Sequence, residues 1–382
     1  MKKTKKPDII TTRRALQELV VRLGCEPLVA VDLEADSMHH YQEKVCLIQI
    51  STSTESVIVD PLGLPDLSPL APVMADADIR KIFHGADYDI RSLHRDFAIE
   101  VRNLFDTMIA CQFLGEKEVG LAAVLFKRFG AELDKRHQKA DWSRRPLPDD
   151  MIEYAIRDTS LLIPLYGQLK KELNENGRLA WVEEESELLA GVRANPRDQE
   201  PMFLRFKGAA RMEQRSLAVL EELLRYRDGV ARAHDLPPFK VMGSDAVRVL
   251  AERMPRRPAD LEGIPGLTPK LIKRYGNDIL EATARGAALP PERLPSYPSP
   301  RRYVKERMKG DVLKRLKLWR EAKAEELGME AGILVNNAVL EAVAEAVLRG
   351  KNVGEVISLK QWQNEAFGQG LSKFAKDLMC SS

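Results

Sequence analysis

Four acidic residues and one tyrosine have the types and the spacing to do chemistry. They are Asp32 and Glu34 in VAVDLEAD, Asp89 in FHGADYDIRSL, and Tyr154 with Asp158 in DDMIEYAIRDTSLL. Alternate side chains of a strand face the same way, so Asp32 and Glu34 project together from one edge of a sheet. Two carboxylates on one face repel each other unless cations lie between them. Residues four apart share a helix face, which sets the Tyr154 hydroxyl beside the Asp158 carboxylate. Asp89, at the start of its own helix, completes a set of hard oxygen ligands suited to Mg²⁺ or Mn²⁺ and unsuited to zinc. We read the set as a cage for two divalent metal ions. Two such ions roughly 4 Å apart promote in-line phosphoryl displacement, one activating a water and the other steadying the leaving oxygen. The expected substrate is therefore a phosphodiester. A phenol with an ordinary pKa of ~10 is a poor general base, so Tyr154 is expected to position the attacking water or the scissile phosphate.

Each residue alone has an ordinary explanation: a DxE pair facing solvent, an aspartate capping a helix, a tyrosine on an amphipathic face. Their order and their placement on strands and helices together carry the functional reading. The strands expected to hold them are LVAVDLEAD, KVCLIQIST and ESVIVDPLG, then a short one at IRKIFHG and another near Asn103 to Asp106. Helices are expected at 68–77, 87–95, 107–129, 149–174 and 181–194. Early strands followed by alternating helices predict a mixed α/β sheet. KRHQKADWSRRPLP has charge, proline and tryptophan without a period and reads as a surface loop. NPRDQEP reads as a linker, beyond which the chain is helical, with a second break at ALPPERLPSYPSPRRY.

The helical half repeats itself at an offset of 93 residues: Tyr226 matches Trp319, Arg227 matches Arg320, Ala231 matches Ala324, and Ala251-Glu252 match Ala344-Glu345. We read two copies of one helical module. The net charge of +2 hides an asymmetry, with 27 Lys and Arg against 34 Asp and Glu in residues 1–200, and 32 against 23 in residues 201–382. A basic half beside an acidic one suggests a polyanionic partner. No apolar run approaches the ~18 residues that span a bilayer, and MKKTKKPD lacks the apolar stretch of a secretory signal. The four cysteines share no CxxC spacing. A cytoplasmic monomer is expected, with no membrane association.

VAVDLEAD, HGADYDIRSL and YAIRDTSLL resemble the three motifs of the DEDD superfamily of 3′→5′ exonucleases, in the branch with tyrosine in the third motif. The histidine branch would place His where Glu153 stands. LIQIST, LFDTMIACQFLG and ADWSRRPLP further resemble the ribonuclease D family, and the repeats resemble its HRDC modules. The resemblance implies an α/β ribonuclease H-like exonuclease domain with a mixed β-sheet over 1–198, followed by two small all-α domains, HRDC at 203–290 and HRDC-like at 298–382. It implies a 3′→5′ exoribonuclease that uses two divalent ions, Mg²⁺ or Mn²⁺. The implied substrates are transfer RNA precursors and other small structured RNAs with a free 3′ end, and the products nucleoside 5′-monophosphates. Asp32, Glu34, Asp89 and Asp158 would be the metal ligands, with Tyr154 assisting catalysis. The alternatives are a 3′→5′ exodeoxyribonuclease and a catalytically inactive nucleic-acid-binding protein.

Five further residues are candidates for contact with nucleic acid: His84, five residues before Asp89; Gln49, pointing from a strand; and Trp142, Arg144 and Arg145 in the loop, which could stack on a base and pair with phosphate. In the first module GIPGLTPKLIKRYG leads two glycines into a basic helix whose N-terminus could hold a phosphate. Arg256-Arg257, Lys270-Lys273-Arg274 and Arg301-Arg302 are the candidates for backbone contact. SMHHYQEK, between the first two strands, is the segment with the weakest resemblance.

Overall fold

The computed structural model describes residues 8–134, 136–194, 201–298 and 306–380. Most of the MKKTKKPD tail and of the NPRDQEP linker, and Arg301-Arg302, lie outside them. The described residues fall into two compact units: one takes residues from 1–35, 45–194 and 303–382, the other from 36–44 and 195–302. Among them no helix is long and apolar enough to cross a membrane.

The first unit is built on six strands, β1 (Asp8–Ile10), β2 (Leu28–Ala35), β3 (Val45–Ser51), β4 (Ser56–Val59), β5 (Arg80–Phe83) and β6 (Leu104–Asp106). They form one mixed sheet in the order β1-β4-β3-β2-β5-β6. β2 and β3 pair antiparallel, with Asp32 opposite Gln49 and Glu34 opposite Leu47, and the register shifts immediately after Glu34. β5 pairs with β2 in parallel. Val29, Val31 and Leu33 of β2 face a core shared with α1 (Arg13–Leu23) and α2 (Asp87–Phe97). The strand's other face carries Ala30, Asp32 and Glu34, because side chains alternate.

α3 (Thr107–Phe113) and α4 (Leu121–Phe129) join the core on that second face, which is covered directly by α5 (Asp149–Ser160) and α6 (Leu162–Glu175), with α7 (Leu179–Ala190) against β6. Leu47 and Ile58 of the sheet pack with Met151, Ile152 and Ala155 of α5, while Ala30, Ile82 and Phe105 pack with Leu162, Leu165 and Leu169 of α6. The helices expected over 107–129 and 149–174 are each broken. Gly115, at φ +79°, turns the chain out of α3, and the second stretch breaks at Leu161. β1 and α1 had no counterpart in the sequence reading.

In the second unit, α8 (Gln214–Ala233), α9 (Ser244–Arg253) and α10 (Pro269–Ala287) close around Leu220, Leu223, Val247, Leu250, Leu261 and Ile279. Residues 36–44 belong to this unit: Tyr41 donates to Asp228 at 2.9 Å, and His40 pairs with Asp235 at 2.7 Å. The longer helices of the last segment, α11 (Glu306–Leu327), α12 (Asn337–Leu348) and α13 (Gln369–Cys380), return to the first unit.

The internal repeat is visible in both copies. A one-turn helix at Pro238–Val241 recurs at Ala331–Leu334, and the start of α9 at Ser244 recurs as the start of α12 at Asn337. Arg227 donates to the Met242 carbonyl at 3.3 Å, and Arg320 to the Val335 carbonyl at 2.8 Å. Donors and acceptors alike are offset by the same 93 residues.

Candidate active site

The carboxylates of Asp32, Glu34 and Asp158 offer oxygen atoms that all lie within 4.8 Å of one another. Asp32 and Glu34 come from the face of β2 toward α5, and Asp158 comes from the last turn of α5. A chain of hydroxyls fastens that turn to the sheet: Ser51 Oγ of β3 lies 2.7 Å from Thr159 Oγ1 and 2.8 Å from Ser56 Oγ. Asp158 is thereby held over β2. Asp89 lies in the first turn of α2 and is buried. It lies outside the three-oxygen group, yet its charge acts on Glu34, and that of Asp32 acts on it.

Closely spaced, buried carboxylates resist ionisation. Burial is the main cause at every position, and at Glu34, Asp89 and Asp158 neighbouring negative charge adds to it. Asp32 is pushed up to about 6 by burial. Asp158 is pushed up to about 8 by burial and by Asp32, against a hydrogen bond from Tyr154 that favours the ionised form. Glu34 and Asp89 are raised well above the usual carboxylate range, Glu34 by burial and by Asp32, Asp158 and Asp89, and Asp89 by burial, Asp32 and Asp106. The Tyr154 phenol is raised by burial and then by Asp158, Glu34 and Asp32. It therefore stays protonated and able to donate. Hard oxygen donors massed at this density fit divalent cations such as Mg²⁺ or Mn²⁺, whose charge offsets the repulsion.

The five nucleic-acid candidates divide. His84 is half-buried; its Nδ1 lies 2.9 Å from Thr107 Oγ1, which donates to the Phe83 carbonyl, and burial lowers its imidazole pKa. Arg144 is exposed beside Asp141 at 3.3 Å. The other three depart from the sequence expectation. Trp142 is 1% exposed in a core with Met151 and Ile152, its ring centroid 5.9 Å from that of Tyr154. Its indole pins the loop and offers no face to a base. Arg145 grips Asp60 through two nitrogens at 2.7 Å and donates to the Cys46 and Trp142 carbonyls. With its donors engaged inside the protein, it is a brace and not a phosphate ligand. Gln49 is fully buried under α5 and has no contact with solvent.

One residue that sequence reasoning passed over is Asp106. Fully buried, it caps α3 by accepting from Met108 N and Ile109 N, and it also accepts from Gly85 N at 2.9 Å and Ala86 N at 2.7 Å. Four backbone donors on one carboxylate fix the turn that delivers Asp89. The aspartate before a helical run in LFDTMIA was a legible N-cap signal; its reach across to residues 85 and 86 was not.

In the first module Gly263 and Gly266 sit at φ +75° and +87°, so GIPG needs its glycines for the turn itself. Thr268 caps the helix that follows, accepting from Leu271 N. Lys270 and Lys273 are exposed, whereas Arg257 is paired with Asp260 at 2.9 Å.

Comparison with known proteins agrees with this geometry. The 3′-5′ exonuclease family matches residues 7–174, and the HRDC domain matches residues 216–283 and 309–372. A ribonuclease D of Nitrobacter hamburgensis is 31% identical over 366 residues, covering 95% of this chain and 93% of its own. Among solved structures, the catalytic core of RRP6 from Trypanosoma brucei is 31% identical, with a TM-score of 0.64 over 76% of this chain and 83% of that one. Escherichia coli RNase D shares the fold, with a TM-score of 0.75 over 98% of this chain and 99% of that one at 24% identity.

Proposed function

This chain belongs to the ribonuclease D family, and from that premise we propose that Asp32, Glu34, Asp89, Tyr154 and Asp158 are the active site of its metal-dependent 3′→5′ exoribonuclease activity. The observation that carries the proposal is the convergence of three carboxylates within 4.8 Å. Left without cations, that arrangement costs stability through mutual repulsion; a hydrolase of phosphodiesters has a use for it. The proposed substrates are transfer RNA precursors and other small structured RNAs with a free 3′ end, released as nucleoside 5′-monophosphates. The name and near full-length match of the curated relatives support the choice of RNA.

Asp32, Glu34 and Asp158 would hold one divalent ion, Mg²⁺ or Mn²⁺, and Asp89 would extend the set toward a second. When bound, such ions supply Lewis acidity that activates water and stabilises the leaving oxygen. The protein's own part is orientation. The register of β2 and the Ser51–Thr159 bond fix three carboxylates, and Asp106 fixes the turn before the fourth. Tyr154, kept protonated by burial and negative neighbours and hydrogen-bonded to Asp158, would position the attacking water or the scissile phosphate and does not act as a base.

The test uses matched RNA and DNA oligonucleotides with free and blocked 3′ ends, with Mg²⁺ or Mn²⁺. RNA should shorten from its free 3′ end only, and Asp32→Asn and Asp158→Asn should abolish shortening while leaving the protein folded. Faster loss of DNA would overturn the choice of RNA. Undiminished hydrolysis by either variant would overturn the active site.

A further inference from the structure

Gln49 occupies the centre of the sheet in a position where an apolar side chain would serve folding better. It lies on β3, flanked on both sides by paired strands, between Ile48 and Ile50, which face the opposite core. Its own face is shared with Leu47 and Ser51, since alternate residues of a strand point the same way. Leu47 packs on Met151, Ile152 and Ala155 of α5, and Ser51 is bonded to Thr159 of the same helix. Gln49 therefore lies beneath α5, 0% exposed, directly opposite Asp32 in the β2–β3 register. Directly opposed residues of an antiparallel pair have Cβ atoms about 4.5–5.5 Å apart on one face. Among the described residues, neither polar atom of its amide, Oε1 or Nε2, has a hydrogen-bond partner.

A buried polar group without a partner is left desolvated and uncompensated, and this side chain carries two. Leucine or methionine would fill the site without that cost. Such groups recur where a ligand supplies the missing bonds, and this one abuts the proposed cation ligands.

We propose that Gln49 is a positioning residue of the cation site. With the site loaded, its Nε2 would donate to the Asp32 carboxylate and its Oε1 would accept from water at the site, so that Asp32 would be held in its ligating orientation. Gln49 works from inside the protein and touches no RNA. The inference rests on the active-site reading above and adds a residue to it.

The experiment is Mn²⁺ titration of the full chain by calorimetry, paired with steady-state hydrolysis of a 3′-end-labelled RNA, for wild type, Gln49→Met, Gln49→Asn and a packing control, Leu47→Met. Losing a residue that orients a metal ligand weakens metal affinity about 10- to 100-fold. Gln49→Met should bind Mn²⁺ at least ~10-fold more weakly with an equal or higher thermal midpoint, and at saturating Mn²⁺ its kcat should fall while KM for RNA holds. Gln49→Asn, which keeps the amide but retracts it by one methylene, should fall between Gln49→Met and wild type. If Gln49→Met does not fold, Gln49→Asn alone decides, with ~3-fold or greater weakening expected as an intermediate value. Leu47→Met should bind Mn²⁺ as wild type does. Unchanged Mn²⁺ affinity in the folded Gln49 variants, or a rise in KM with kcat unchanged, would overturn the assignment while leaving the cage intact. A wild-type chain that bound no Mn²⁺ would overturn both the cage and this residue's part in it.

Discussion

Asp158 shows how a single carboxylate couples chemistry to stability. Its pKa stands at about 8 in the folded chain, and that of Asp32 at about 6, each raised first by burial; in an unfolded chain both would titrate near 4. Between those values the folded protein holds more protons than the unfolded one. Linkage then makes stability fall as pH rises through the window, full below about pH 4 and lost by about pH 8. Divalent cations reverse this by replacing protons. In metal-free protein, the thermal midpoint of wild type should fall relative to Asp158→Asn between pH 5 and pH 8, and Mn²⁺ should raise the wild-type midpoint more at pH 8 than at pH 6. Thermal unfolding with and without a chelator checks this, and a difference between the two proteins that stayed flat with pH would refute it. At this scale the sequence was informative because chemistry is written in residue types: two acids two apart on a strand, and a tyrosine and an acid four apart on a helix. What it did not carry was depth. Gln49, Trp142 and Arg145 are polar or amphipathic and were read as reaching outward, whereas the fold places the first two wholly inside and spends the third on Asp60.

The loop before α5 is the element where neighbouring residues part company. Arg144 is exposed, with its side chain 78% accessible beside Asp141, while Arg145 is clamped between Asp60 and three carbonyls. Arg145→Ala would leave the Asp60 carboxylate, itself nearly buried, without its partner. Discounted for the partial exposure of the arginine, we expect a loss of up to about 3 kcal/mol, read as a lower midpoint in urea. Arg144→Ala should change stability by less than about 0.5 kcal/mol; if the loop follows an RNA backbone, it should also lower the salt dependence of RNA binding by about one counterion. Equal effects of the two substitutions would show that burial does not separate their roles. The strands that frame this loop were legible because β-branched runs bounded by turn residues announce themselves, as in VCLIQIS and SVIV. β1 was not, since three residues at a sheet edge carry too short a pattern. The breaks at Gly115 and Leu161 lie inside stretches whose helical spacing resumes beyond them, and Gly115, with its positive φ, turns the chain out of the first helix.

At the scale of the molecule, the two helical repeats have the same local architecture and opposite allegiances. The first closes its own core around Leu220, Val247 and Ile279. The second shares one continuous core with the exonuclease sheet, running from Phe105 and Phe113 through Leu316 and Val343 to Trp362. Trp362 is the joint: its ring centroid lies 5.0 Å from that of Phe113 and 5.5 Å from that of Trp181, and its indole N–H donates to Glu185 at 2.6 Å. Glu184 caps the same turn by accepting from Gln361 N and Trp362 N, and a side chain on Gly115 would stand 2.1 Å from the Gly328 carbonyl. No feature of the sequence distinguishes the two copies in this respect, because allegiance depends on which surface each copy meets and the 93-residue repeat is silent about that. Burying a tryptophan at such a joint makes its removal cost about 3–5 kcal/mol. Calorimetry of the full chain should resolve two unfolding transitions, of which only the one containing the carboxylate cage rises with Mn²⁺. Trp362→Ala should lower that Mn²⁺-sensitive transition, and Leu220→Ala should lower the other, by about 2–5 kcal/mol. If Trp362→Ala instead moved a transition indifferent to Mn²⁺, the second repeat would be folding apart from the catalytic sheet. Because the core is shared, a chain cut after residue 298 should lose the stability of its exonuclease part along with the second repeat.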